Sequence, residues 1–278
     1  MHDANSLQHA ATGGNPPTSW RAFGRAGDLD LDFHVQDRAG LITRLLAACW
    51  RDVEGSRTTG PTTCDRETDV WQLSLSGRIG GLAEILLRTQ AVDEMPVHPR
   101  CSRCGVAFEI SLSLAAIADL GRDAECAPLV AVPLDGADPI MLRRPTGADQ
   151  RRWQTHPLPV RDAEAAMLAD LLVSGSEAYG EIDLIPLLPR VVEVMEEVDL
   201  LPAFRVSCTC PHCAHADDLP LDLEGLLLSR LEQQTQRLTL EVHRLASRYG
   251  WREADILELP PHRRAAYLRL LDQESGWP

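Results

Sequence analysis

The sequence predicts a mainly helical α+β protein whose halves are joined by split, zinc-ribbon-like cysteine knuckles and which ends in a long helix. Three observations carry this. Cys101-Ser-Arg-Cys104-Gly105 and Cys210-Pro-His-Cys213-Ala214 are each a C-x-x-C turn followed by a small residue and an alternating apolar stretch. Laid over each other with Cys101 on Cys210, an offset of 109, they stay in register without a gap: Ile110 meets Leu219, Leu112 meets Leu221, Leu114 meets Leu223 and Ile117 meets Leu226. Finally, Leu227, Leu231, Leu238, Val242, Leu245 and Tyr249 follow helical spacings of three and four, with Thr235 at the missing position, until Gly250 ends the run.

Residues 1–27 mix Asn, Gly, Pro, Ser and Thr with few aliphatics and are expected to be a disordered tail, because they bury too little surface to offset ordering entropy. Two halves follow: 28–127 with the first knuckle, and 128–278 with a hairpin, helices and the second knuckle. Leu29 to Val35 alternates as a half-buried strand does, and Leu41 to Trp50 reads as an amphipathic helix. A polar loop is expected over 54–68, then a short strand through Trp71, Leu73 and Leu75, then a helix from Gly80 to Thr89 leading to the first knuckle. Val106 to Leu114 reads as a strand with Phe108, Ile110, Leu112 and Leu114 on one face. Apolar runs on either side of Asp135-Gly136 predict a β-hairpin. Thr146 with Asp149 resembles a capping box opening a helix that carries Trp153 on its inner face. Asp162 to Val173 and Pro189 to Val198 are helical by spacing, and Asp199-Leu-Leu-Pro202 breaks the second. Beyond the long helix, Glu253 to Leu259 and His262 to Leu271 form two short ones, separated by Pro260-Pro261.

At 278 residues the chain is long enough for a substantial core, and 44% hydrophobic with 24% charged residues is ordinary for a globular protein. A formal net charge of -14 argues against a nucleic-acid-binding surface. The first residues lack a secretory pattern and no apolar run is long enough to span a bilayer, so a cytoplasmic protein without a membrane partner is expected. There the eight cysteines read as thiols and metal ligands rather than disulfides. Cys49 and Cys126 are expected in the core or half-buried, and Cys64 in a polar loop.

Tetrahedral structural zinc takes four ligands, and the two knuckles supply them as Cys101, Cys104, Cys210 and Cys213. Cys208, His212 and His215 are alternative donors. A four-thiolate zinc leaves no position for substrate and argues against an enzyme. Cys210-Pro211-His212-Cys213 is also the tetrapeptide of an oxidising enzyme of the thioredoxin class, but there it opens a helix, which Asp217, Asp218 and Pro220 oppose. Phosphate loops, H-E-x-x-H and G-x-S-x-G are absent. Glu193, Glu196, Glu197, Asp217 and Asp218 read as solvated faces, and His243 as a residue at the edge of the apolar stripe.

The ordered motifs Arg143-Arg144-Pro145-Thr146-Gly147-Ala148-Asp149, Cys210-Pro211-His212-Cys213-Ala214-His215, Glu241-Val242-His243-Arg244-Leu245-Ala246 and Tyr249-Gly250-Trp251 with Ile256-Leu257 carry a resemblance. The second half resembles the family named for the T-even-phage baseplate hub assembly chaperone, whose relatives lie in gene clusters for phage tails and contractile injection systems. The first half is similar more loosely, through its knuckle and the elements beside it, and residues 1 to about 70 lie outside the match. Ala214 stands where relatives tend to carry Gly, and Ser102 where they tend to carry Pro. The resemblance implies a non-enzymatic accessory protein whose partners are baseplate or hub proteins of a contractile tail-like particle. A structural component retained in that particle is the alternative it leaves open.

Overall fold

A computed structural model describes residues 19–51, 63–134, 137–155, 160–173 and 185–275. Among these the fold is mixed α+β and mainly helical, with the strands arranged as two-stranded antiparallel ribbons. No helix among them is long and apolar enough to cross a membrane.

The first core gathers helices α1 (Arg38–Cys49), α3 (Leu75–Gln90), α4 (Leu114–Cys126) and the start of α8 (Leu223–Tyr249). Asp37 caps α1 by accepting from the Gly40 N–H at 2.8 Å, and Ser74 caps α3 through Gly77. α3 and α4 pack closely because Gly80 faces Gly121: a methyl added at Gly121 would stand 2.6 Å from the Gly80 Cα. Leu223, Leu227, Leu228 and Leu231 bring α8, from the other end of the chain, into this core. Arg78 is fully buried in it, its guanidinium donating to the Ala39 and Val70 carbonyls and the Thr43 hydroxyl. Burial lowers the Arg78 pKa to about 10, with Glu224 and Asp37 opposing.

A second core lies beneath the hairpin of β5 (Leu129–Leu134) and β6 (Ala137–Arg143), whose Val130, Val132, Ile140 and Leu142 pack on Leu168 and Leu171 of α6 (Val160–Leu171) and on Val191 and Val194 of α7 (Leu188–Val198). Asp135 and Gly136 lie outside the described residues. α5 (Gly147–Thr155) opens with the expected capping box: the Asp149 carboxylate accepts from the Thr146 N–H at 2.9 Å, and the Asp149 N–H donates to the Thr146 hydroxyl at 3.3 Å. Trp153 packs against this core and donates from its indole to Asp170. At the far end, α9 (Glu253–Glu258) and α10 (Pro261–Ser275) fold back on α8 around Leu245, Ile256 and Leu271, with Tyr249 stacked on Trp251. Gly250 ends α8 at φ 68.

Several expectations are corrected. The tail cannot run from 1 to 27, because β1 (Ser19–Trp20) pairs with β2 (Trp50–Arg51) and the rings of Trp20 and Phe23 are buried in the first core; residues 1–18 lie outside the described residues. Leu29, Leu31, Phe33 and Val35 do alternate in burial and pack against the first core, yet no strand among the described residues pairs with them, and turns at Leu29-Asp30 and Phe33-His34 break the segment. The end of the expected 54–68 loop is helix α2 (Thr63–Gln72), which includes Trp71. The alternation through Leu73 and Leu75 reflects a single bridge between Ser74 and Thr146, not a strand. Only Ile110–Ser113 of the expected 106–114 strand is regular, since Ser113 caps α4 by accepting from Ala116 and turns Leu114 into a helix. Cys49 is buried as expected, its thiol pushed up to about 12 by burial, whereas Cys126 is exposed at the last position of α4.

Candidate metal centre

Each knuckle is the tip of a short hairpin. β3 (Glu94–Val97) pairs antiparallel with β4 (Ile110–Ser113) around Cys101–Gly105, and β7 (Arg205–Thr209) pairs with β8 (Ala216–Pro220) around Cys210–Ala214. The turns are built alike. The Cys101 N–H donates to the Val106 carbonyl at 3.0 Å and the Gly105 N–H to the Cys101 carbonyl at 2.9 Å; the Cys210 N–H donates to His215 and the Ala214 N–H to Cys210, both at 2.9 Å. Gly105 and Ala214 hold the same position and both sit in left-handed backbone, at φ 72 and φ 52. Such a turn lets the two sulfurs of one knuckle point the same way.

The two tips meet face to face. All four sulfurs of Cys101, Cys104, Cys210 and Cys213 lie within 4.8 Å of one another. The closest cross-knuckle pairs, Cys101 with Cys213 and Cys104 with Cys210, are both 3.7 Å apart. A regular tetrahedron of sulfurs about 2.3 Å from a central zinc has edges of about 3.8 Å. These pairs therefore have the spacing that a thiolate-bound ion imposes, and are far beyond a disulfide bond of about 2.05 Å. Cys101 and Cys210 are buried, packed with Phe108 and flanked by Ile110 and Leu219. This small apolar cluster shields one side of the cysteine group.

Electrostatically the four thiols are in conflict. The Cys104 backbone N–H holds the Cys101 thiol down to about 7 against the effect of burial. Cys213, despite the His215 N–H that favours its thiolate, is pushed up to about 12 by burial and the other three sulfurs. Four sulfurs this close cannot all ionise without a cation between them, and a divalent metal ion removes that conflict.

All four expected ligands are thus brought together, and together they can hold a metal ion. Cys208 packs beside the cluster but does not join it, and His212 and His215 also stay outside. The chain after Cys213 enters β8 rather than a helix, so the Cys210-Pro211-His212-Cys213 segment lacks the helix N-terminus that activates a redox dithiol. Asp217, expected on a solvated face, is half-buried and bonded to the other hairpin. Its carboxylate accepts from the Ser102 N–H at 2.9 Å, tying one knuckle to the other, and the Ser102 hydroxyl and N–H hold its pKa low. Nothing in a lone Asp-Asp pair signals this. Glu193, Glu196 and Glu197 are exposed as expected, whereas His243, expected as a boundary residue beside the apolar stripe, is exposed. Comparison with protein-family models, curated proteins and solved structures finds no match to this chain.

Proposed function

We propose that Cys101, Cys104, Cys210 and Cys213 bind a structural zinc ion, and that the clamped protein is a non-enzymatic assembly factor acting in the cytoplasm on the baseplate or hub of a phage tail-like contractile particle. The observation that supports the zinc reading is the pair of 3.7 Å cross-knuckle sulfur contacts, and an ion held by all four thiolates would keep no coordination position for a substrate. The assembly reading rests on the ordered motifs of the second half. Those motifs fall on the opening of α5, the second knuckle, the last third of α8 and its turn into α9.

The docking face in this reading is the solvent side of α8. Ser229, Gln233, Gln236, Leu240, His243 and Ser247 recur at spacings of three and four along it, all exposed, with Leu240 58% exposed at its centre. On a chain of net charge -14 an uncharged stripe six positions long is suited to close contact with another protein, and the net charge of the chain favours encounter with a less acidic partner. The test is copurification of baseplate components with the wild-type protein and with a Leu240→Arg, Gln236→Glu double variant. Loss of the partner with unchanged thermal stability supports this face; full retention rejects it. Stoichiometric presence in purified particles assigns a structural component instead, and catalytic turnover of a dithiol substrate would contradict the non-enzymatic reading.

A further inference from the structure

Helices α2 and α5 pack together, and the cleft between them has a volume of about 430 Å³. Seven residues line it and none carries a carboxylate, on a chain with 41 acidic and 27 basic residues. At its centre is Trp71 of α2, half-buried. Two guanidinium groups stand over that ring: the buried Arg78 has its Cζ 5.1 Å from the ring centroid, and the exposed Arg151 of α5 has its Cζ at 5.0 Å. A guanidinium stacked on an aromatic face is held there by its π surface and keeps its in-plane N–H groups for other partners. Arg151 is therefore ordered but uncommitted, since its guanidinium meets no hydrogen-bond acceptor and no carboxylate among the described residues.

The neighbouring charges indicate what it awaits. Arg152 donates through Nη2 to Asp149 at 2.9 Å and to Asp170 at 2.7 Å, and Arg143 donates to Asp149 as well, so in that group two arginines balance two carboxylates. Arg78 bonds only carbonyl and hydroxyl oxygens, with Glu224 and Asp37 acting on it through space. The unbalanced charge in the cleft is that of Arg151. Gln72, exposed on the α2 side, adds an amide that has no partner among the described residues. We propose that this cleft binds an organic carboxylate, its oxygens accepting from the Arg151 fork and the Gln72 amide while its body lies against Trp71 and Ala148. A planar guanidinium matches a carboxylate through two parallel hydrogen bonds. A phosphate dianion would bring a second negative charge toward Asp149 and Asp170, which already flank Arg152. The carboxylate comes either as a free small molecule or as an acidic side chain of a partner protein.

Calorimetric titration of the full chain with benzoate, its neutral isostere benzamide, and phenyl phosphate tests this. Benzoate should bind about tenfold more tightly than either of the others, the difference that one charge-assisted hydrogen-bonded pair supplies. Arg151→Ala should abolish binding, and because Arg151 is exposed and bonded to nothing in the core, the variant keeps the fold. Arg151→Lys, which retains the charge without the fork, should weaken it several-fold. Ala148→Leu, which fills the cleft but leaves both arginines in place, should abolish it too. Tighter binding of Nα-acetyl-glutamate methylamide than of benzoate assigns the site to a partner's acidic side chain; weaker binding assigns it to a free carboxylate. Benzamide or phenyl phosphate binding as tightly as benzoate, or benzoate binding unchanged in Arg151→Ala or Ala148→Leu, overturns the proposal.

Discussion

Replacing Cys104, the exposed member of the four, with serine removes one ligand while leaving the buried floor of the cluster in place. The geometry sets the expectation. Cross-knuckle sulfurs 3.7 Å apart place a central ion about 2.3 Å from each, so X-ray absorption of the wild-type protein should show four sulfur scatterers at that distance. Without the ion, the Ser102 to Asp217 hydrogen bond and the small cluster around Phe108 are what hold the tips together. Binding to the folded state alone stabilises it by about 4 kcal/mol when free zinc exceeds its dissociation constant a thousandfold, a melting shift on the order of 10 °C for a chain of this size. The helices should survive metal loss, because Met95, Val97 and Leu112 anchor the first hairpin in a core that does not include the ligands. Wild-type protein should therefore carry about one zinc per chain with four protected thiols; Cys104→Ser should lose the metal, expose the other three thiols together, and melt earlier with its helical circular dichroism largely unchanged. Nitrogen or oxygen scatterers in the wild-type spectrum, or a melting point indifferent to both chelator and mutation, would refute the four-thiolate clamp.

Other perturbations read different parts of the fold. Asp149 resists burial through its bonds to Arg143 and Thr146, which bring its pKa from 3.8 down to about 2. Because the folded value is the lower one, this stabilisation is complete above the unfolded value and is lost as pH falls toward 2. Its ceiling is about 2 kcal/mol, reduced to about 1 by solvent screening of the partly exposed Arg143. The stability gap between wild type and Asp149→Asn in urea titrations should accordingly narrow between pH 5 and about 2.5, and a constant gap would contradict the assignment. Gly121→Ala sets a methyl 2.6 Å from the Gly80 Cα and 2.7 Å from the Ser76 carbonyl, so it should cost about 1–3 kcal/mol in chemical denaturation. A neutral result would show that α3 and α4 are less tightly joined. The knuckle turns predict opposite signs: Gly105→Ala puts a side chain into left-handed backbone and should weaken metal affinity by about 1 kcal/mol, whereas Ala214→Gly relieves that strain and should strengthen it by a similar amount. Competition with a colorimetric zinc chelator measures both.

The long helix was legible because its apolar stripe persists through 27 residues, and the four ligands because two C-x-x-C turns carry their own geometry. Hairpin strand β3 was not, since Glu94-Met-Pro-Val is four residues long with a proline inside it, a pattern that reads as loop. Helix α4 was hidden by continuity: the alternation from Phe108 reaches Leu114 without a visible break, although Ser113 switches the backbone there. The clue lay in the repeat, where Leu114 and Ile117 fall on Leu223 and Leu226, the start of the helix that was recognised. Trp20 and Phe23 were lost among small polar neighbours because single aromatic anchors leave no periodicity. Asp199 and Arg144 gave no signal of burial, as each is paired only through the tertiary fold.

The offset that aligns the cysteines also aligns the structure around them, which explains how the halves are joined. Pairs Pro96 with Ser111, Val97 with Ile110 and Arg100 with Ala107 in the first hairpin correspond to Arg205 with Pro220, Val206 with Leu219 and Thr209 with Ala216 in the second. The helix caps correspond as well, Ser113 accepting from Ala116 and Asp222 from Gly225. Helix, knuckled hairpin and helix thus occur twice. The copies part ways where their helices would pack. Gly80 and Gly121 let α3 and α4 close on each other, but the matching positions are Pro189 and Arg230, too bulky for the same approach. α7 packs instead beneath β5 and against α6, while α8 packs on α3 and its Arg230 reaches the Pro96 carbonyl of β3. One copy holds only two thiolates, and a metal site of four needs both. Because α8 has moved into the first core, the halves are held at a second place independent of the ion, so losing the metal should free the hairpin tips without parting the two halves.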